Sequence, residues 1–148
     1  MEEMLSEIFR NKILWTTISA WFIAQTLKVV LALIREKKLD FRWFVGAGGM
    51  PSSHAAGAAS LSTAVGIKYG FDSAYFALAA AFAIVVMFDA QGVRRAAGRQ
   101  ASILNRIMDD IYWQGKVPDT RLRELVGHTP VEVFMGFLLG VLIAFIAG

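Results

Sequence analysis

Three long apolar stretches restrict the possible folds of this chain more than any other feature of its sequence. They run over Ile13–Ile34, Ser73–Ala90 and Pro130–Ala147. A helix needs roughly 20 mostly apolar residues to cross the hydrocarbon core of a bilayer. Backbone groups that face lipid must be satisfied within their own segment, which a helix does. Each stretch is therefore predicted to be a membrane-spanning α-helix.

A fourth stretch, Pro51–Tyr69, is rich in alanine, glycine and serine instead of large apolar residues. Small residues recur in it at every fourth position, a pattern typical of a helix packed among other helices. These residues are Ala56, Ser60 and Ala64. In the last stretch, Gly136 and Gly140 form a GxxxG pair that permits close helix contact and makes a homodimer possible.

The composition agrees with a membrane domain, because 56% of the 148 residues are hydrophobic. The absence of cysteine excludes disulfide scaffolds, thiolate metal sites and cysteine nucleophiles. The sequence thus predicts an all-α polytopic membrane helix bundle of about four spans plus amphipathic helices. Residues 1–148 are expected to form one domain.

Basic residues concentrate in two connections, Arg35–Met50 and Gln91–Thr129. With four spans both connections lie on one side, which then carries eleven basic residues against three on the other. Loops with many lysines and arginines favour the cytoplasm, so this side is expected to be cytoplasmic, in a bacterial inner membrane. Val93–Trp113 has an amphipathic helical pattern that suits a helix on the membrane surface.

Both histidines of the chain, His54 and His128, lie at the start of a predicted membrane helix, and both starts point to the same face. Helix N-termini present unpaired N–H groups and a positive dipole, and so bind anions. Before His54, Ser52 and Ser53 can cap the helix or donate to an oxyanion, while Pro51 suits the first helical turn. This stretch is predicted to hold a phosphate beside a titratable side chain.

Glu132 follows His128 by four residues, close enough to bind its imidazole if that turn is helical. Thr129-x-x-Glu132 is equally a good capping box, so the carboxylate can serve as a cap, as a partner of the histidine, or as both. Lys28 lies within the first span, where a lysine either snorkels or has a function. Because Arg35 follows seven residues later on the same helix face, a functional cation is the favoured interpretation.

These residues resemble the type-2 phosphatidic acid phosphatase and vanadium haloperoxidase superfamily, and in particular its short divergent bacterial branch. The superfamily carries K-x6-R-P, P-S-G-H and S-R-x5-H-x3-D motifs. The chain offers the segments Lys28–Arg35, Pro51–His54 and His128–Glu132 in their places. Serine replaces the glycine of the second motif, and glutamate replaces the last aspartate of the third. In the first motif Glu36 replaces the proline, so Arg42 is an alternative to Arg35 for the role of the motif's arginine.

The S-R pair of the third motif is absent, and Arg94 or Arg95 is the candidate to replace its phosphate contact. The resemblance implies that His128 attacks phosphorus, that Glu132 orients it and that His54 protonates the leaving alcohol. Phosphate binding would fall to basic residues and serines, without a metal or another cofactor. This candidate set is Lys28, Arg35, Arg42, Ser52, Ser53, Arg94 and Arg95.

A site at the membrane face suggests a phosphate monoester or pyrophosphate carried on a lipid, such as phosphatidic acid, phosphatidylglycerol phosphate or a polyprenyl phosphate. Nucleic acid is not an expected partner. The alternative is a protein that binds or transports lipid phosphates without turnover. A metal-dependent CDP-alcohol phosphotransferase is rejected: after Asp89, its motif requires a glycine where Ile103 stands and two aspartates four residues apart, whereas Asp109 and Asp110 are adjacent.

Overall fold

Helices make up all the regular structure in residues 1–36, 49–112 and 127–148, which are the residues that the computed structural model describes. A π-helical turn, Asp89–Val93, joins the fourth helix to the fifth without a break. The all-α membrane bundle predicted from the sequence is confirmed. The helices are α1 (Glu2–Arg10), α2 (Lys12–Glu36), α3 (Ser53–Tyr69), α4 (Ala74–Phe88), α5 (Arg94–Tyr112) and α6 (Pro130–Ala147).

Three helical segments in the described part of the chain are long and apolar enough to cross a membrane. They are Lys12–Ile34, Ala74–Met108 and Pro130–Ala147, and they contain most or all of the three apolar stretches. The second is longer than the stretch Ser73–Ala90 because α4 continues through the π-helical turn into α5. The fourth expected span, α3, has 17 residues and lies among the other helices.

Helix α3 forms the core of the bundle and packs against α2, α4 and α6. It is buried on nearly every side, because its small side chains allow three helices to approach it at once. Ala56 and Ser60 are completely buried and Ala64 nearly so, as their spacing predicted. The hydroxyl of Ser60 also donates to the backbone oxygen of Thr16 in α2, at 3.4 Å.

The contacts of α3 fix the directions of its neighbours. A Cβ atom added at Gly136 would overlap the backbone oxygen of Ser52, and one added at Gly140 would overlap that of Ala56. Residue numbers therefore rise together in α3 and α6, and the two helices are parallel. The GxxxG pair thus serves contact within the chain, so a homodimer would need another surface.

Helix α2 runs antiparallel to α3, since Thr16 lies beside Ser60 near one end while Lys28 lies beside Gly49 at the other. The N-terminal ends of α3 and α6 and the C-terminal part of α2 consequently meet at one end of the bundle. This arrangement gives the two histidines the common face that the sequence predicted.

Two amphipathic helices flank the bundle. Helix α1 exposes a row of apolar side chains, and its Phe9 stacks on Trp15 of α2 with ring centroids 6.0 Å apart. Helix α5 agrees with the predicted segment Val93–Trp113 to within one residue at its start, and its exposed apolar residues include Ile103 and Ile107.

Candidate functional site

The two histidines of the chain meet at the end of the bundle where α3 and α6 begin. The ring centroids of His54 and His128 are 5.9 Å apart, and the ring planes are inclined by 62°. The Nδ1 atom of His54 and the Nε2 atom of His128 are both fully buried. Side chains 74 positions apart in the sequence can therefore act on a single small group.

Glu132 connects His128 to the first turn of α6. Its Oε2 atom lies 3.1 Å from Nδ1 of His128 and accepts a hydrogen bond from the backbone N–H of Thr129, also at 3.1 Å. The hydroxyl of Thr129 accepts in turn from the backbone N–H of Glu132, which completes a capping box. Glu132 is thus both cap and histidine partner. A proton on Nδ1 leaves Nε2 as the nucleophilic nitrogen of the ring.

Two backbone hydrogen bonds hold the histidine segments in place. The N–H of Ser52 donates to the backbone oxygen of Glu132 at 3.0 Å, which joins the first turns of α3 and α6. The N–H of His128 donates to the backbone oxygen of Ala90 at 3.0 Å. Ala90 lies in the π-helical turn, where the regular helical bonding pattern is interrupted. The position of His128 therefore depends on three helical segments.

The two serines before His54 have different roles. Ser52 is the N-cap of α3, because its hydroxyl accepts from the backbone N–H of Ala55 at 3.3 Å. Pro51 accordingly precedes the cap and is not part of the first helical turn, because the helix begins at Ser53. Ser53 is 2% exposed and stands directly before His54. Of the two, Ser53 is the better candidate to contact a ligand.

Lys28 is buried beside this pair of helix ends, with 3% of its surface exposed. Its aliphatic chain packs on Gly49, where a Cβ atom would lie 3.1 Å from Cγ of the lysine. Gly49 has a φ of +86°, a conformation that glycine adopts without strain. Lys28 is therefore a candidate to supply a cation to the site from within the bundle.

The structure describes the predicted phosphate-binding arginines only in part. Arg35 lies in the last turn of α2, and Arg94 and Arg95 begin α5. The structure describes their backbone and not their side chains. Arg42 lies outside the described residues. The sequence also gave no indication of the role of Ala90, because a backbone oxygen leaves no signature in the residue type.

Together these groups form a site suited to an anion. Two helix N-termini, with their positive dipole ends, adjoin a buried lysine. A nucleophilic nitrogen on one side and a second imidazole on the other are the groups that phosphoryl transfer from an alcohol to a histidine requires. Among the described residues, no group of three histidine, aspartate or glutamate side chains is placed to hold a metal ion.

Comparison with known proteins finds a matching family model and a similar bacterial protein. The sequence model of the Divergent PAP2 family matches residues 9–143, a range that includes both histidines, Glu132 and Lys28. A protein of Bacillus subtilis (strain 168) described as uncharacterized membrane protein YuiD is 40% identical, over 95% of this chain and 96% of that protein. No solved structure matches the chain.

Proposed function

Because the chain belongs to the Divergent PAP2 family, we propose that it is a membrane phosphatase that hydrolyses a lipid phosphate monoester or pyrophosphate through a phosphohistidine. The observation that carries this proposal is the arrangement of His128, with its Nδ1 atom 3.1 Å from Glu132, facing His54 across 5.9 Å. Binding of a lipid phosphate alone would not need a carboxylate-supported histidine facing a second one.

In the first step, Nε2 of His128 attacks the phosphorus atom and forms a P–N bond. The P–O bond to the lipid alcohol breaks, and its electron pair stays on the alcohol oxygen, which takes a proton from the imidazolium of His54. The negative carboxylate of Glu132 stabilises the positive ring that forms at His128. Most of the rate enhancement in phosphoryl transfer comes from such positioning and charge stabilisation.

In the second step, a water molecule attacks the phosphorus atom of the phosphohistidine while neutral His54 accepts its proton. The P–N bond breaks, its electron pair returns to Nε2 of His128, and inorganic phosphate leaves. Lys28, Ser53 and the two helix N-termini would neutralise the phosphoryl oxygens in both steps. The arginine candidates Arg35, Arg42, Arg94 and Arg95 would add to this charge.

Phosphate release by the purified protein in detergent tests the proposal. Wild-type protein should release phosphate from a lipid phosphate, and His128→Ala should remove turnover while the protein still inserts and unfolds at a similar temperature. His54→Ala should slow substrates with poor leaving groups more than those with good ones, because His54 acts on the leaving oxygen. A wild-type protein that binds lipid phosphate without hydrolysis would instead be a binding or transport protein.

The site is proposed to face the cytoplasm of a bacterial inner membrane. The proposal rests on the eleven basic residues of the two connections at the histidine end, against three at the other end. Helices that could cross a membrane and a close membrane-protein relative support the integral membrane location itself.

A further inference from the structure

An apolar groove leads away from the histidine pair along the side of α3. It has a volume of about 430 Å³, is open on one side, and is bounded by α2, α3 and α4. Ser53 and His54 form one end of it, and the surface that lines it is almost wholly apolar. The other lining residues used below are Trp21, Gly57, Leu61, Phe82 and Val86.

The chemistry of the groove suits a hydrocarbon chain. Its walls come from the membrane-crossing segments of α2 and α4, so hydrocarbon and not water is the medium around it. Its volume lies within the range of small-molecule sites. A lipid of the surrounding bilayer could fill such a groove anywhere in the bundle. This groove, however, ends at the imidazole proposed to protonate the leaving oxygen, which is the atom that carries the lipid chain.

We propose that the groove binds the first part of one hydrocarbon chain of the substrate, while the phosphate lies within reach of both His54 and His128. The inference rests on the proposed function and specifies its substrate. The substrate is a phosphate ester whose alcohol oxygen adjoins a single unbranched or lightly branched chain.

The length of the groove sets how much of the chain it can hold. Leu61 follows His54 by seven residues, which corresponds to about 10 Å along a helix that rises about 1.5 Å per residue. A zigzag chain with carbon–carbon bonds of about 1.5 Å advances about 1.25 Å per carbon. The groove therefore holds about eight carbons.

Turnover of linear alkyl phosphates from two to twelve carbons, by the purified full-length protein, tests this length. Each methylene that leaves water for the groove should raise kcat/KM by up to about fourfold, and the increase should stop near about eight carbons. In Gly57→Leu the increase should stop near about four carbons, because Gly57 is three residues beyond His54, or about 4.5 Å. In this variant, hydrolysis of ethyl phosphate should fall less than hydrolysis of octyl phosphate, because the ethyl chain ends before Gly57.

Gly57→Leu is suited to this test because a Cβ atom at Gly57 meets only Cβ of Trp21, at an ordinary 3.7 Å. Ala81→Leu is the matched control, since Ala81 is exposed on α4 and does not line the groove. The control should keep the wild-type dependence on chain length. Partitioning of substrates into detergent is the same for all three proteins, so only occupation of the groove can separate them.

A binding measurement that needs no turnover tests this inference separately from the proposed function. In a variant that retains Trp21 as its only tryptophan, 8-bromooctyl phosphonate should quench the fluorescence, vanadate should relieve the quenching, and Gly57→Leu should abolish it. Quenching with no phosphate release from any substrate would refute the phosphatase and retain the groove. An unchanged chain-length limit in Gly57→Leu, or quenching that vanadate does not relieve, would show that bulk lipid fills the groove and overturn the inference.

Discussion

The variant Gly136→Ala adds one methyl group at a residue that bears no reactive atom. It should nevertheless strongly lower phosphate release. A Cβ atom at this residue would overlap the backbone oxygen of Ser52 and lie 3.0 Å from Cβ of Ala55 and 3.1 Å from the backbone carbon of Ser52. Carbon atoms in comfortable contact are about 3.5–4.0 Å apart. Helix α6 must therefore move away from α3 by roughly 0.5–1 Å beside Ser52, the N-cap residue two positions before His54.

The displacement has two measurable effects. Overpacking of a tight contact costs about 1–3 kcal/mol of stability. A misplacement of about 1 Å between reacting groups can lower a rate by about a hundredfold, so Gly136→Ala should lose about that factor in phosphate release. Gly140→Ala overlaps the backbone oxygen of Ala56 one turn deeper. It should lose similar stability and less activity, because the affected contact is farther from the histidines.

Thermal unfolding and phosphate release, both measured in the same detergent, check these expectations. Gly92→Ala is the matched control, because a Cβ atom at Gly92 would meet nothing within 4 Å. Gly92 lies in the π-helical turn, so its replacement removes a glycine penalty of up to about 1 kcal/mol without an overlap, and the difference between the variants reports mainly on the contact. A Gly136→Ala protein as active and as stable as Gly92→Ala would show that the close approach of α3 and α6 does not position the site.

Three other expectations follow from the site and from the orientation. Glu132→Gln keeps an oxygen for the capping box but removes the negative charge beside His128, so phosphate release should fall by at least about a hundredfold. Thr129→Ala removes a cap worth about 1 kcal/mol and should keep most activity, and equal activities of these two variants would limit Glu132 to capping. Activity should survive a metal chelator and be inhibited by vanadate, and a strict need for Mg²⁺ would disprove the mechanism. Single cysteines introduced into the cysteine-free chain at Lys38, Asp72 and Lys116 should react with an impermeant thiol reagent in intact cells only at Asp72, and reaction at either lysine position would place the site outside.

The common face of the two histidines could be predicted from the sequence, because the prediction needs only the residues that mark helix starts and the number of membrane spans. Ser52 before His54, and Thr129 with Pro130 after His128, mark two helix starts. Two helices that both start on the same side of a bilayer must be parallel, so both histidines share a face. In the structure the two histidines lie at the same end of the bundle, and α3 and α6 are parallel. The sequence could not determine how near the two rings would lie.

The sequence did not predict the features that depend on backbone atoms or on which helix becomes the neighbour of another. The spacing of Gly136 and Gly140 predicts a close helix contact but does not say whether the partner is α3 or a second copy of the chain. The π-helical turn that brings the backbone oxygen of Ala90 to His128 has no residue pattern of its own. The spacing of Glu132 fitted a cap and a histidine partner equally well, and only the distances show that one oxygen atom does both.

The burial of α3 also has a consequence for how this protein is made. A segment so rich in glycine, alanine, serine and threonine gains little from lipid alone, and α3 is stabilised mainly by the helices around it. One of these, α6, follows α3 in the chain and is synthesised after it. The close α3–α6 contact, and the paired histidines with it, can form only after α6 has been synthesised. In nascent chains interrupted before Pro130, α3 would therefore remain in the membrane without its contact with α6. Such chains would be targets for quality-control proteases.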